Sequence, residues 1–185
     1  IATPNKRANS MSMDFYHQLR AVANKANRRF LYETNVGAGL PIIDTLQNLF
    51  KSGDKLTGFN GIMSGSLSYI FGKLDEGKKF SEAVLEAKEL RYTEPDPRDD
   101  LKGTDVARKA LIIAREAGMS IELADIKMNS IFPADFNIEG TTEEFLQRLP
   151  EVDPYFEKKM ADLKKQGKVL RMGASKIGRA SCRER

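Results

Sequence analysis

The two residue types that build most metal and redox centres are almost missing: in 185 residues there is one cysteine, Cys182, and one histidine, His17. An internal disulfide framework is excluded, and no His/Cys metal cluster can assemble within one chain. That usage fits a reducing, cytoplasmic setting. Long apolar runs are missing too. None approaches the roughly 20 residues that span a bilayer, and the first ten residues, IATPNKRANS, lack the hydrophobic stretch of a signal peptide. The sequence is therefore expected to begin mid-protein and to make no membrane contact.

What is present is an ordinary soluble composition, 41% hydrophobic and 30% charged, long enough for one domain with a real core. A net charge of +4 and a pI near 9.1 raise the question of nucleic acid. Most of that excess sits at the end, where Lys176, Arg179, Arg183 and Arg185 face only Glu184. From about residue 173 onward neither helical nor strand periodicity is visible, so residues 173–185 are expected to be a disordered or non-native tail. No nucleic-acid partner is expected.

Periodicity predicts a helix over Ser12–Asn27, with Tyr16, Leu19, Val22 and Ala23 inward and Arg20 and Lys25 outward, then a short strand in RRFLYETNV. Gly37-Ala38-Gly39 turns the chain into a helix begun by Pro41. LTGFNGIM is a second expected strand. Helices follow at Ser64–Leu74 and Ser81–Leu90, then an irregular loop TEPDPRDDLKG, a helix at Thr104–Ala117, a strand at Ile126–Ile131, helices at Thr141–Leu149 and Asp153–Gln166, and a last strand KVLRM. The expected class is α/β, or α+β, with a mixed sheet covered by helices.

The chemistry concentrates in YTEPDPRDDLKGTDVARK, Tyr92 to Lys109. Two prolines stiffen a loop bearing Glu94, Asp96, Asp99 and Asp100, and pre-ordered carboxylates lose little entropy on meeting an ammonium group. The blander alternative is a solvated acidic turn. Asp105 and Lys109, four apart, share one helix face. A positioned lysine can donate a proton to a forming alkoxide and stabilise its charge beforehand; an exposed ion pair is the plain alternative.

Four separated segments, TPNK (Thr3–Lys6), YETNVGAGLP (Tyr32–Pro41), SGSLSYIFGKLDEG (Ser64–Gly77) and YTEPDPRDDLKGTDVARK, resemble the homoserine dehydrogenase family in order and wording, above all the dehydrogenase half of bifunctional aspartokinase–homoserine dehydrogenases. The resemblance implies an NADP(H)- or NAD(H)-dependent oxidoreductase that interconverts homoserine and aspartate semialdehyde. It implies Lys109 as general acid/base with Asp105 beside it, substrate binding by Glu94, Asp100, Asp105 and Lys6, and cofactor contact at Lys6 and at position 91. There the family has glycine and this chain has Arg91. Residues 1–11 would end a nucleotide-binding domain, and 12–172 would form the catalytic and dimerisation domain of a homo-oligomer.

Gly37-Ala38-Gly39 imitates a dinucleotide fingerprint, but its third position is Ile42. Glycines that turn carbonyls inward could instead hold a hard monovalent cation, the alternative being a mere tight turn. The family resemblance implies sodium, with Glu33, Val36, Ala38 and Leu40 as ligands, mostly through main-chain carbonyls. A non-catalytic dimerisation or interaction fragment is the competing functional reading. With its Rossmann half largely absent, the chain is expected to bind NADP(H) poorly and to turn over little substrate. Titration with NADPH, followed by fluorescence, should show no saturable binding; tight saturation would overturn the expectation.

Overall fold

A computed structural model of the chain describes residues 1–177 and 179–181. It divides into two compact units, one of Ile1–Met63 and Val106–Lys127 with the strands that follow residue 173, the other of Ser64–Asp105 and Met128–Gly173.

In the first unit Ala2 pairs in parallel with Leu31 through a single bridge, and helices α1 (Arg7–Ser10) and α2 (Met13–Lys25) follow. Ser12 starts α2 by accepting the Phe15 amide, one of the unpaired donors at a helix start. The predicted buried stripe narrows to Tyr16, and Val22 is 66% exposed. Arg20 does not point outward. Its guanidinium lies 3.3 Å from the Tyr16 ring centroid, where the ring's negative face attracts it.

The strand predicted in RRFLYETNV reduces to the bridge at Leu31, because the chain then winds into helix α3 (Thr34–Gly37). Helix α4 (Ile42–Lys51) lies one residue past Pro41. Its free amides at Ile43 and Asp44 donate to the two carboxylate oxygens of Glu33, each at 2.8 Å. Ile43 packs with Tyr32, Val36, Ile112 and Ile113 to form the core of this unit.

Strand β1 (Gly58–Gly61) lies inside the predicted LTGFNGIM. It runs antiparallel to β2 (Ala174–Ile177), Gly58 opposite Ile177 and Gly61 opposite Ala174, and β2 pairs antiparallel with β3 (Arg179–Ser181). The stretch beyond residue 173, expected to lack regular structure, thus supplies β2, the partner of β1, and β3, the partner of β2. KVLRM forms no extended strand and contributes one bridge residue, Met172; its alternation is correct about burial, since Leu170 and Met172 are buried. Gly178 and residues 182–185, with Cys182, lie outside the described residues.

The second unit opens with helix α5 (Gly65–Asp75), capped by Ser64 through the Leu67 amide. Helix α6 (Phe80–Glu89) and helix α7 (Pro97–Leu101) follow, the latter inside the loop predicted to be irregular. Helix α8 (Thr104–Glu116) leads back into the first unit. No strand forms over 126–131; a 3-10 turn at Leu123–Asp125, closed by reciprocal capping between Glu122 and Asp125, precedes that stretch. Helix α9 (Thr142–Arg148) and helix α10 (Asp153–Lys165) complete the second unit.

Aromatic rings fill its core: Phe80 stacks on Phe156 with centroids 4.0 Å apart and meets Phe132 edge-on. Buried Asp153 accepts both the amide and the hydroxyl of Ser81, at 2.8 and 2.7 Å. This closes the start of α6, where Lys79 offers no side-chain cap. Among the described residues no helix is long and apolar enough to cross a membrane.

Past α6, Arg91 adopts φ 58°. The Arg91 amide bonds the Lys88 carbonyl and the Tyr92 amide bonds the Ala87 carbonyl, the paired closure that ends many helices and favours glycine at this left-handed position. A side chain there costs about 1–2 kcal/mol, partly offset by glycine's larger unfolded-state entropy of about 0.4–1 kcal/mol. Arg91→Gly should therefore raise stability by up to about 1 kcal/mol, or about 2–4 °C in Tm for a chain of this size. Thermal unfolding of both forms checks this, and a lower Tm for the glycine variant would refute it.

Candidate active site

In the second unit Asp96 starts α7 by accepting the Arg98 amide at 3.0 Å, with Pro97 in the first turn where no donor is needed. The Arg98 guanidinium returns to both Asp96 oxygens and reaches the carbonyls of Ile138 and Gly140. Those hydrogen bonds from Arg98 hold the Asp96 carboxyl down, from its ordinary 3.8 to about 2. Asp96 is thereby a fastening of the loop.

Asp100 is also a fastening. One of its oxygens accepts the Ser66 hydroxyl at 2.7 Å, and the other accepts the Glu94 amide at 2.8 Å. Ser66 is buried and lies 3.0 Å from the Ser64 hydroxyl. The SGS motif therefore grips the acidic loop through Asp100 and fixes the backbone from which the exposed Glu94 side chain projects. Sequence reasoning missed Ser66. Its only signal was a second serine two positions after a helix cap. Arg91 is exposed at the opposite end of the same loop.

In the first unit Lys109 is half-buried on α8, and its Nζ donates to the Met63 carbonyl at 2.6 Å. Asp105 sits one turn earlier on the same helix, also half-buried. Half-buried Lys6 is the residue from which α1 departs, its carbonyl accepting the Asn9 amide at 3.0 Å.

The 33–41 loop is shaped by strain. Ala38 has φ 51° and ψ −108° while the Leu40 amide bonds the Gly37 carbonyl, a tight turn whose first central position normally takes glycine. Gly37 cannot carry a side chain, since a Cβ there would lie 2.5 Å from Ile42 Cγ1. The Glu33 carboxylate occupies the start of α4, the place a dinucleotide phosphate would need, so this turn does not fit that group. Glu33, Val36, Ala38 and Leu40, the implied cation ligands, lie along this turn and the short helix α3 before it. The Leu40 oxygen already accepts the Ile42 amide but keeps a second lone pair. Among the described residues no three His, Cys, Asp or Glu side chains converge as a metal cluster.

An apolar cavity of about 530 Å³ lies between this loop, α4 and β1, with Leu46, Leu56, Phe59 and Ile113 among its walls. It contains no charged side chain, which makes it unsuited to a small zwitterion. A separate polar cluster escaped sequence reasoning. The Glu116 carboxylate, nearly enclosed, accepts Tyr32 at 2.7 Å and Gln47 at 2.9 Å, with Arg20 at 3.4 Å. Burial and then the Glu116 charge push the Tyr16 phenol up to about 12 and raise Tyr32 as well. Both phenols stay protonated donors to the Glu116 carboxylate.

A family model described as homoserine dehydrogenase matches residues 41–183. The bifunctional aspartokinase/homoserine dehydrogenase of Haemophilus influenzae is 50% identical over 183 residues, covering 99% of this chain and 22% of that protein. Among solved structures, a Candida auris protein of unknown function aligns with a TM-score of 0.91 at 41% identity, over 100% of this chain and 54% of that one. A hyperthermophilic archaeal homoserine dehydrogenase, solved in complex with NADPH, aligns at 0.68 and 25% identity, over 100% and 47% of the two chains. The chain thus spans only part of the length of each.

The depressed Asp96 pKa sets a pH window. Its contribution to holding the loop is complete above the ordinary carboxylate value of 3.8 and is lost as pH falls through about 2. A carboxyl-carbon NMR titration of Asp96 should give a midpoint near 2, returning toward 3.8 in Arg98→Ala. A midpoint near 3.8 with Arg98 intact would contradict the ion pair.

Proposed function

Because the chain belongs to the homoserine dehydrogenase family, we propose that it supplies the substrate-holding and proton-transfer part of an enzyme interconverting L-homoserine and L-aspartate 4-semialdehyde. The nicotinamide of NADP(H) or NAD(H), when bound, supplies or accepts the hydride. The remaining chemistry falls to side chains. Lys109 gives a proton to the developing alkoxide oxygen in the reducing direction and removes it from the hydroxyl in the other. Asp105, one turn earlier on α8, orients the substrate hydroxyl against it. Glu94 and Asp100 meet the substrate ammonium group, and Lys6 meets its carboxylate on the cofactor side.

The observation that carries this reading is the anchored Lys109 amine. A lysine left to sample many rotamers makes a poor general acid, whereas the Met63 carbonyl at 2.6 Å fixes where the Nζ sits. Glu33, Val36, Ala38 and Leu40 are proposed to hold sodium, mostly through main-chain carbonyls, which would stiffen the loop without acting on the substrate. Homo-oligomerisation of the full-length protein belongs to the same proposal.

In the full-length protein, Lys109→Ala should lower kcat by about 10²–10⁴-fold, the range for losing a general acid, while the protein stays folded by circular dichroism. Lys109→Arg should remain nearly as slow, since guanidinium keeps its proton. Near-normal turnover of either variant would remove Lys109 from the chemistry.

A further inference from the structure

Lys6 is the residue before the first turn of α1, and a four-residue helix has little stability of its own. Its position must come from outside. At its far end, the Arg115 guanidinium donates through Nη1 to the carbonyls of Asn9, at 3.1 Å, and Met11, at 2.7 Å, which close α1. Along its side, the fully buried Asn9 carboxamide donates to the Asn35 oxygen at 2.9 Å. The Asn35 amide then donates to the Thr3 carbonyl at 3.1 Å. Lys6 is therefore bracketed in sequence by two pinned points, Thr3 and Asn9.

Arg115 and Lys109 share α8, six residues apart and so roughly 9 Å along the helix axis. A single rigid element thus carries the Lys109 amine and grips the segment that carries Lys6. Asn35 belongs to the YETN motif and Thr3 to the TPNK motif. Their common backbone reading is mutual attachment.

We propose that Arg115 and the Asn9–Asn35 amide pair are positioning residues that fix Lys6 relative to Lys109, acting on the reaction only through Lys6. This rests on the reading of Lys6 as the group that meets the substrate carboxylate. The hydrogen bonds of Arg115 and Asn35 run to backbone carbonyls and to the Glu122 and Asn9 side chains. Their removal leaves the Lys6 ammonium intact and misplaces it.

A double-mutant cycle in the full-length protein separates positioning from simple stability. Asn35→Ala should lower kcat/KM by roughly 10- to 100-fold, mainly through a higher KM for homoserine, as expected for a displacement near 1 Å. Lys6→Ala alone should show a loss of at least that size. In the Lys6→Ala background, Asn35→Ala should cost less than about 2-fold more, while its fall in Tm is the same in both backgrounds. Arg115→Lys, which keeps the charge and loses the fork, should follow the same pattern and serves if Asn35→Ala does not fold; Asn35→Ser serves likewise. A full, additive loss in the Lys6→Ala background, or no loss in the Lys6 background, overturns the positioning role while leaving the Lys6 assignment in place. Near-normal kcat/KM for Lys6→Ala overturns the reading of Lys6 and this inference with it.

Discussion

Burying a guanidinium is tolerable only when every donor finds an acceptor, and Arg115 meets that condition in full. Its five N–H groups are matched by five hydrogen bonds: Nε and Nη2 to the Ile121 carbonyl, Nη2 also to Glu122, and Nη1 to the Asn9 and Met11 carbonyls. The side chain is fully enclosed. Burial pulls its pKa down and the Glu122 charge pulls it back. Three segments of the first unit meet at this one group. The 121–122 turn, the end of α1 and the start of α2, where the Met13 amide bonds Glu122, are all held by it or by its counter-ion.

The second unit solves its own polar problem in the same manner with the signs reversed. Asp153 and Asp100 are carboxylates whose partners are neutral serine hydroxyls and backbone amides. Asp153 supplies a helix start that lacks a local cap, and Asp100 ties a loop to a helix start. In both units a buried charge reaches backbone far away in sequence, Arg115 to the Asn9 and Met11 carbonyls and Asp153 to the Ser81 amide. Distance in sequence is what makes these bonds hold separate segments together, since a local cap can only end the helix it belongs to.

That distance also decides what could be read from the chain in advance. Helices α2, α5, α6, α8 and α10 were legible because their signals are local: apolar spacing of three and four, a serine cap, a glycine or proline at an end. Helix α3 was not, because FLYETNV has the β-branched and aromatic look of a strand while its conformation is set by Asn35, whose partners Asn9 and Thr3 lie far back in the chain. KVLRM shows the limit from the other side. Alternation correctly put Leu170 and Met172 inside, yet alternation reports which face is buried and says nothing of whether a neighbouring strand is there to pair. Arg20 was assigned to solvent by its charge, before Tyr16 and Glu116 were known to flank it.

The same reasoning divides the letters of the motifs into two kinds. Lys6, Glu94 and Lys109 are long side chains with charged ends, projecting from backbones that other residues hold. Asn35, Ser66 and Asp100 are short, and a short side chain reaches the neighbouring backbone more readily than a ligand. A family resemblance transfers both kinds together, because both are equally fixed in the wording of a motif. Asp100 illustrates the consequence. The resemblance makes it a substrate ligand, whereas each of its oxygens already accepts a hydrogen bond from the protein. Each oxygen has a second lone pair, so an ammonium group can still be met, but only in the orientation that Ser66 and the Glu94 amide leave open. What its two hydrogen bonds fix is the backbone from which the Glu94 side chain projects.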